Sequence, residues 1–126
     1  MSVKAQVFGG QANGGQLTQV FQLTSTRQLI QVSGTAWRGP QTPVGPISFL
    51  VEVSLNGAPQ VNGTATMYAN QANVHMTLPT LALATDLPAG GPYTLKITPG
   101  PGTTFDPNDY FTIVVVELDA GGIGGL

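Results

Sequence analysis

Apolar residues recur at every second position along most of this chain, the period of a β-strand with one face on a core. Residues 47–55 are the cleanest case: Ile47, Phe49, Val51, Val53 and Leu55 alternate with Ser48, Leu50, Glu52 and Ser54. Residues 28–37 put Ile30, Val32, Gly34 and Ala36 on one face, with Gln31, Ser33, Thr35 and Trp37 opposite. Similar alternation covers residues 3–8, 17–23, 61–68, 74–83 and 93–97, with Phe21, Leu23, Ala65, Met67, Tyr93, Leu95 and Ile97 among the inward positions. No window sustains a 3.6-residue stripe, so no helix is predicted.

The 17 Gly and 10 Pro fall between the apolar runs. Asn56-Gly57 is a hairpin signal, because both residues tolerate positive φ. Gly-rich turns are expected around Gly9-Gly10, Asn13-Gly14-Gly15 and Leu87-Pro88-Ala89-Gly90-Gly91, and before the last strand at Pro99-Gly100-Pro101-Gly102. The pattern predicts an all-β fold, an antiparallel β-sandwich of about eight strands with the jelly roll as first choice. One domain is expected over residues 1–119, followed by a Gly-rich tail at 120–126 read first as a flexible end or linker, with Ile123 and Leu126 leaving room for docking.

The run 110–118 breaks the alternation: Tyr110, Phe111, Ile113, Val114, Val115, Val116 and Leu118 are apolar on both parities. Such a strand needs cover on both faces, from within the monomer or from another subunit. Glu117 shares the Phe111, Ile113 and Val115 face. The opposite set of Tyr110, Thr112, Val114, Val116 and Leu118 is therefore the expected oligomer contact.

Composition narrows the function. Only 8% of residues are charged, against about 25% in ordinary soluble domains, so Gln, Asn, Thr and Ser must build the polar surface. Four Lys+Arg and a net charge of -2 argue against a nucleic-acid partner. No apolar stretch is long enough for membrane insertion as a helix, and the first residues lack a signal-peptide core. The expected location is accordingly the cytoplasm or a particle released without a signal. Without cysteine there is no disulfide or thiolate chemistry.

Catalytic motifs are missing, and no cofactor is expected. The chain has a single histidine, His75. The period places it on a polar strand face with Thr77, and no Cys or carboxylate stands at ligand spacing to build a zinc site with it. Asp106-Pro107-Asn108-Asp109 is the densest polar cluster. Asp106, Asn108 and Asp109 could offer oxygens to calcium; the competing reading is an Asx-turn bent by Pro107. Trp37 beside Arg38 combines an aromatic ring on a polar face with a guanidinium, suited to stacking on a sugar or anchoring a partner. Tyr68, near Asn70, has a similar setting. The candidate ligand site is thus Trp37, Arg38, Tyr68, Asn70 and His75, against a reading in which Trp37 caps the core rim or lies in an interface. Asn62-Gly63-Thr64 matches a glycosylation sequon and is read first as a bulge or turn signal.

The strand count, the small charge-poor domain and the doubly apolar last strand resemble the compact jelly rolls of the TNF and C1q-like superfamily. Gly91-Pro92-Tyr93-Thr94-Leu95 is similar to that superfamily's C1q signature, Gly-x-Tyr-x-Phe. The resemblance implies a last strand in the inner sheet near the threefold axis of a trimer. Some bacterial members are lectins, which Trp37 would suit. Residues 86–97 are also similar to a turn and strand of prealbumin-like and immunoglobulin-like bacterial surface modules. The expected function is a non-catalytic binding or assembly module whose partners are copies of itself and a glycan. The alternative is a structural, spike or particle component, or an immunoglobulin-like adhesion module, without a small ligand.

Overall fold

A computed structural model describes residues 2–12, 15–39, 44–71 and 73–119. The proposed tail at 120–126 and the Asn13-Gly14 turn lie outside the described residues. Ten strands follow in order: β1 (Ser2–Gln11), β2 (Leu17–Leu23), β3 (Gln28–Arg38), β4 (Gly45–Leu55), β5 (Ala58–Ala69), β6 (Met76–Thr77), β7 (Leu81–Thr85), β8 (Gly90–Pro99), β9 (Thr103–Thr104) and β10 (Tyr110–Asp119). Eight are principal strands. β6 and β9 are two-residue pieces paired to the end of β3, at Thr35 and Ala36 and at Trp37 and Arg38.

Two antiparallel sheets pack face to face. One runs β1-β10-β3-β7, the other β2-β8-β4-β5. Consecutive strands β1 and β2 lie in different sheets, as do β2 and β3, β3 and β4, β5 and β7, β7 and β8, and β8 and β10. This repeated crossing makes the sandwich a jelly roll. Only β4 and β5 form a local hairpin, through Asn56 at φ 52° and Gly57 at φ 81°. Two left-handed residues give the turn whose twist matches the flanking strands.

The core is built from the alternating sets. Ile30, Val32, Ala36, Ile47, Phe49, Val51, Val53, Tyr93, Leu95, Ile97, Phe111, Ile113 and Val115 are all buried. Gly34 admits the Phe111 ring where β3 and β10 pair; a Cβ there would lie 2.1 Å from Phe111 Cδ2. Phe111 in turn meets Phe49 edge-on at 5.3 Å and Phe105 at 4.9 Å between ring centroids.

β10 is flanked by β1 and β3, so it is a central strand of its sheet. Phe111, Ile113 and Val115 point into the core, while Thr112, Val114, Val116 and Leu118 form the outward, half-buried row. Glu117 shares the inward face because it sits at the rim, 3% exposed, and closes the turn after β2. Its Oε1 accepts the backbone N–H of Thr24 at 2.7 Å and of Ser25 at 2.9 Å. Gln28, 2% exposed, performs a similar service. Its amide donates to Ser25 O and Leu87 O, and its carbonyl accepts from Thr85 Oγ1 and Leu87 N, at 2.7–2.9 Å.

One predicted strand is corrected. Residues 74–83 do not run as one piece: β6 and β7 are separated by residues 78–80. Pro79 has no N–H for a ladder, and Leu78 turns into the core at 2% exposure. His75 therefore precedes β6, and strand alternation with Thr77 does not fix its position.

Candidate functional site

The chain's densest polar cluster lies at the end of the sandwich where β10 begins. Asp109 precedes β10 and is fully buried. Its backbone is held on both sides, with Asp109 N donating to Asp106 O and Ala12 N donating to Asp109 O. Its side chain collects three donors. Thr35 Oγ1 donates to Oδ1 at 2.8 Å, Asp106 N to Oδ2 at 2.9 Å, and His75 Nδ1 approaches Oδ1 at 2.7 Å. An ionised carboxylate can only accept, so Nδ1 carries a proton.

On the other side of the ring, His75 Nε2 faces Asp106 Oδ2 at 3.5 Å. The imidazole therefore lies between two carboxylates, one buried and one 28% exposed. The hydrogen bond to Asp109 is the largest cause raising the His75 pKa above its ordinary 6.5; burial opposes it, and the charges of Asp109 and Asp106 add to it. The turn itself is the Asx type, with Asn108 N on Asp106 Oδ1 at 2.8 Å.

Sequence spacing offers His75 no carboxylate partner, but the fold supplies two. Carboxylates do stand beside His75, brought from residues 31 and 34 positions further along the chain. Donor atoms of His75, Asp106 and Asp109 lie within 4.8 Å of one another. Both Asp109 oxygens are already engaged in the protein, so an ion would have to displace internal bonds to gain that ligand. Nor does the group form a nucleophilic triad: the nearby hydroxyl, Thr35, donates to Asp109 rather than to His75. The arrangement is suited to holding a charge.

Trp37 borders this cluster. Its ring and that of His75 are 6.0 Å apart between centroids and inclined at 42°. Its Nε1 is enclosed and has no acceptor. Asn73 N bonds Arg38 O at 3.2 Å and Leu78 N bonds Gly34 O at 3.0 Å, tying the segment that carries His75 across the end of β3.

The five candidate ligand residues do not all meet. Trp37 and His75 are neighbours. Arg38 leaves β3 on the other parity, where Nη1 donates to Pro46 O at 2.6 Å and the guanidinium packs over Gly45 and Gly102. Tyr68, the register partner of Pro46, is 64% exposed on the outward face of the other sheet, and Asn70 follows β5. At the opposite end, Lys4, Thr24, Ser25 and Glu117 line a small depression.

A second surface is formed by β1, β10, β3 and β7. Register rows Ala5-Val116-Leu29-Ala84 and Val7-Val114-Gln31-Ala82 cross all four strands on the outward face, with Val3-Leu118 beyond them. These rows contain no charged residue. Val3 is 61% and Val7 66% exposed, and Tyr110, 55% exposed, lays its hydroxyl against Gly9 on the same face.

No protein-family model matches the chain, and no curated protein matches it. Among solved structures it is similar to Eiger TNF from S. frugiperda, at TM-score 0.59 and 13% identity, covering 95% of this chain and 96% of that one. It is also similar to dimeric latent PorU from Porphyromonas gingivalis, at TM-score 0.52 and 10% identity, over 93% of this chain but only 13% of the other. A third likeness, to TmCBM61 in complex with beta-1,4-galactotriose, has TM-score 0.42 and 9% identity over 94% and 88% of the two chains, below the level that demonstrates a common fold. The chain has a TNF-like jelly-roll fold. The expectation of a jelly-roll sandwich holds.

Proposed function

We propose that this chain is a non-catalytic assembly module that forms a homotrimer through the outward face of β1-β10-β3-β7. The observation carrying this reading is the pair of uncharged rows crossing that face, with Val3, Val7 and Tyr110 more than half exposed at its margin. Depletion of charge is a mark of interface cores, and exposed contiguous apolar surface marks association sites. Tyr110, Thr112, Val114, Val116 and Leu118 meet neighbouring subunits in this reading. At about 25 cal/mol per Å², burying one apolar row contributes several kcal/mol per subunit. Sedimentation velocity at micromolar concentration tests it: the wild-type chain runs as a trimer, and Val7→Glu, at an exposed position, runs as a folded monomer. A monomeric wild type would remove the reading.

The binding partner proposed for the opposite end is a carbohydrate. Trp37 offers a ring for the C–H face of a sugar, and His75 with Asp106 offers polar groups for its hydroxyls. Glycan-array binding that disappears in Trp37→Ala supports this; a blank array leaves the alternative of a structural or particle component. The His75 ring, centred 6.0 Å from that of Trp37 and inclined at 42°, favours that alternative, since it crowds the stacking position.

A further inference from the structure

The segment 73–77 is pinned at one end and clamped in the middle. Its C-terminal end is anchored by buried Leu78, whose N–H bonds Gly34 O. Beyond that anchor, β6 contributes two residue pairs with β3, and Asn73 adds one backbone bond to Arg38. The segment's side-chain holds are Met76, half-buried against the core, and His75 between Asp106 and Asp109. With the segment held alongside β3, the imidazole and indole centroids are 6.0 Å apart and the indole N–H is enclosed without an acceptor. An unmet buried donor opposes the closed arrangement, because opening lets water satisfy it. The charged clamp therefore works against a built-in opposing term. Protonation that strengthens the clamp shifts the population toward the closed arrangement, and its loss shifts it back.

We propose that His75 operates a pH-dependent latch: as an imidazolium between Asp106 and Asp109 it holds segment 73–77 beside Trp37 at the end of β3, and on losing its proton it releases the segment and exposes the indole. Asp106 and Asp109 are the charged groups that face it from the turn before β10. From β3, Thr35 and Trp37 face it without charge, and Arg38 carries its guanidinium to Pro46 and Gly102 on the other parity. In the open state His75 titrates near its ordinary 6.5, while the closed state holds the proton more tightly. The latch is thus strongest below about pH 6.5 and is lost as pH rises through the higher closed-state value. Each pH unit between these two values changes the closed-to-open ratio about tenfold.

The latch does not depend on a sugar being bound, and its test needs no ligand. Trp37 is the sole tryptophan and His75 the sole histidine, so fluorescence and the imidazole proton resonances each report one site. Acrylamide quenching of Trp37 in the full chain is measured from about pH 5 to about pH 9, the range in which a histidine titrates. The expected result is quenching that rises at least about twofold through a transition tracking the His75 resonances, as local opening exposes the ring. Asp106→Asn shifts the midpoint downward, toward 6.5, because one of the raising charges is removed. His75→Gln, at a partly exposed position, is quenched like the high-pH wild type at every pH. The chain's α-amino group titrates in the same range, and His75→Gln retains it. A flat wild-type profile overturns the proposal, as does a transition that survives in His75→Gln.

Discussion

Substituting Gly34 by Ala should be among the most damaging single-methyl changes in the molecule. The added Cβ would sit 2.1, 2.4 and 2.5 Å from Phe111 Cδ2, Cε2 and Cγ. Phe111 cannot swing clear, because Phe49 stands edge-on at 5.3 Å and Phe105 packs at 4.9 Å on other sides. Overpacking a tight core costs about 1–3 kcal/mol, and the absence of a free direction argues for the upper end, about 3 kcal/mol. For a domain of this length that is on the order of 10 °C in Tm. Phe111→Leu alone should cost about 1–2 kcal/mol through lost contacts and residual volume. Combined, the two changes should cost at least about 1 kcal/mol less than their sum, since the smaller side chain vacates the space that the added methyl group needs. Urea unfolding of all four species closes the cycle. Gly63→Ala serves as a contrast, because there the new Cβ meets only leucine methyl groups at 2.9–3.3 Å and those can rotate away. Additive costs for Gly34→Ala and Phe111→Leu would refute the steric account, and with it the view that this glycine sets the β3–β10 spacing.

Other consequences are open to similar tests. Glu117→Gln keeps the side chain's length but removes the charge that accepts from Thr24 and Ser25, and should cost about 1–3 kcal/mol in urea unfolding. Gln28→Leu leaves several buried groups of Ser25, Thr85 and Leu87 without partners; a loss of more than about 2 kcal/mol is expected by the same measurement. Thermal unfolding against pH should show the His75 contribution present below about pH 6.5 and declining as pH rises through its elevated folded-state pKa; a His75→Gln chain should lack that component of the slope.

The sandwich was legible because its core is built from period-2 strands. The inward sets of β3, β4, β5 and β8 can be read directly from Ile30 to Ala36, Ile47 to Val53, Ala65 and Met67, and Tyr93 to Ile97. The doubly apolar β10 was legible as a strand needing cover on both faces, but its place between β1 and β3 was not, because ladder partners lie along a strand's edges and leave its two faces unmarked. The break within residues 74–83 was signalled by Pro79, whose missing N–H argues against an uninterrupted strand. The polar clusters were not legible. His75 and Asp109 stand 34 positions apart, and Gln28 and Leu87 stand 59 apart. No local period joins such residues, and only the sheet crossings bring them together. Glu117 was visible as an acid on an apolar face, but its partners, the N–H groups of Thr24 and Ser25, belong to a turn whose position the sequence leaves open.

Ser2 and Asp119 are register partners at the far end of β1 and β10. The chain consequently enters and leaves the domain side by side, at one pole. β10 runs from there about 30 Å, at roughly 3.4 Å per residue, to Tyr110 beside the Trp37 and His75 cluster. If three copies associate around the β1-β10-β3-β7 faces, the paired Ser2 and Asp119 ends of the three copies gather at one pole of the particle and three copies of the Trp37 region crown the other. The two poles of the sandwich therefore differ in kind: one carries the paired ends of β1 and β10, the other the histidine cluster.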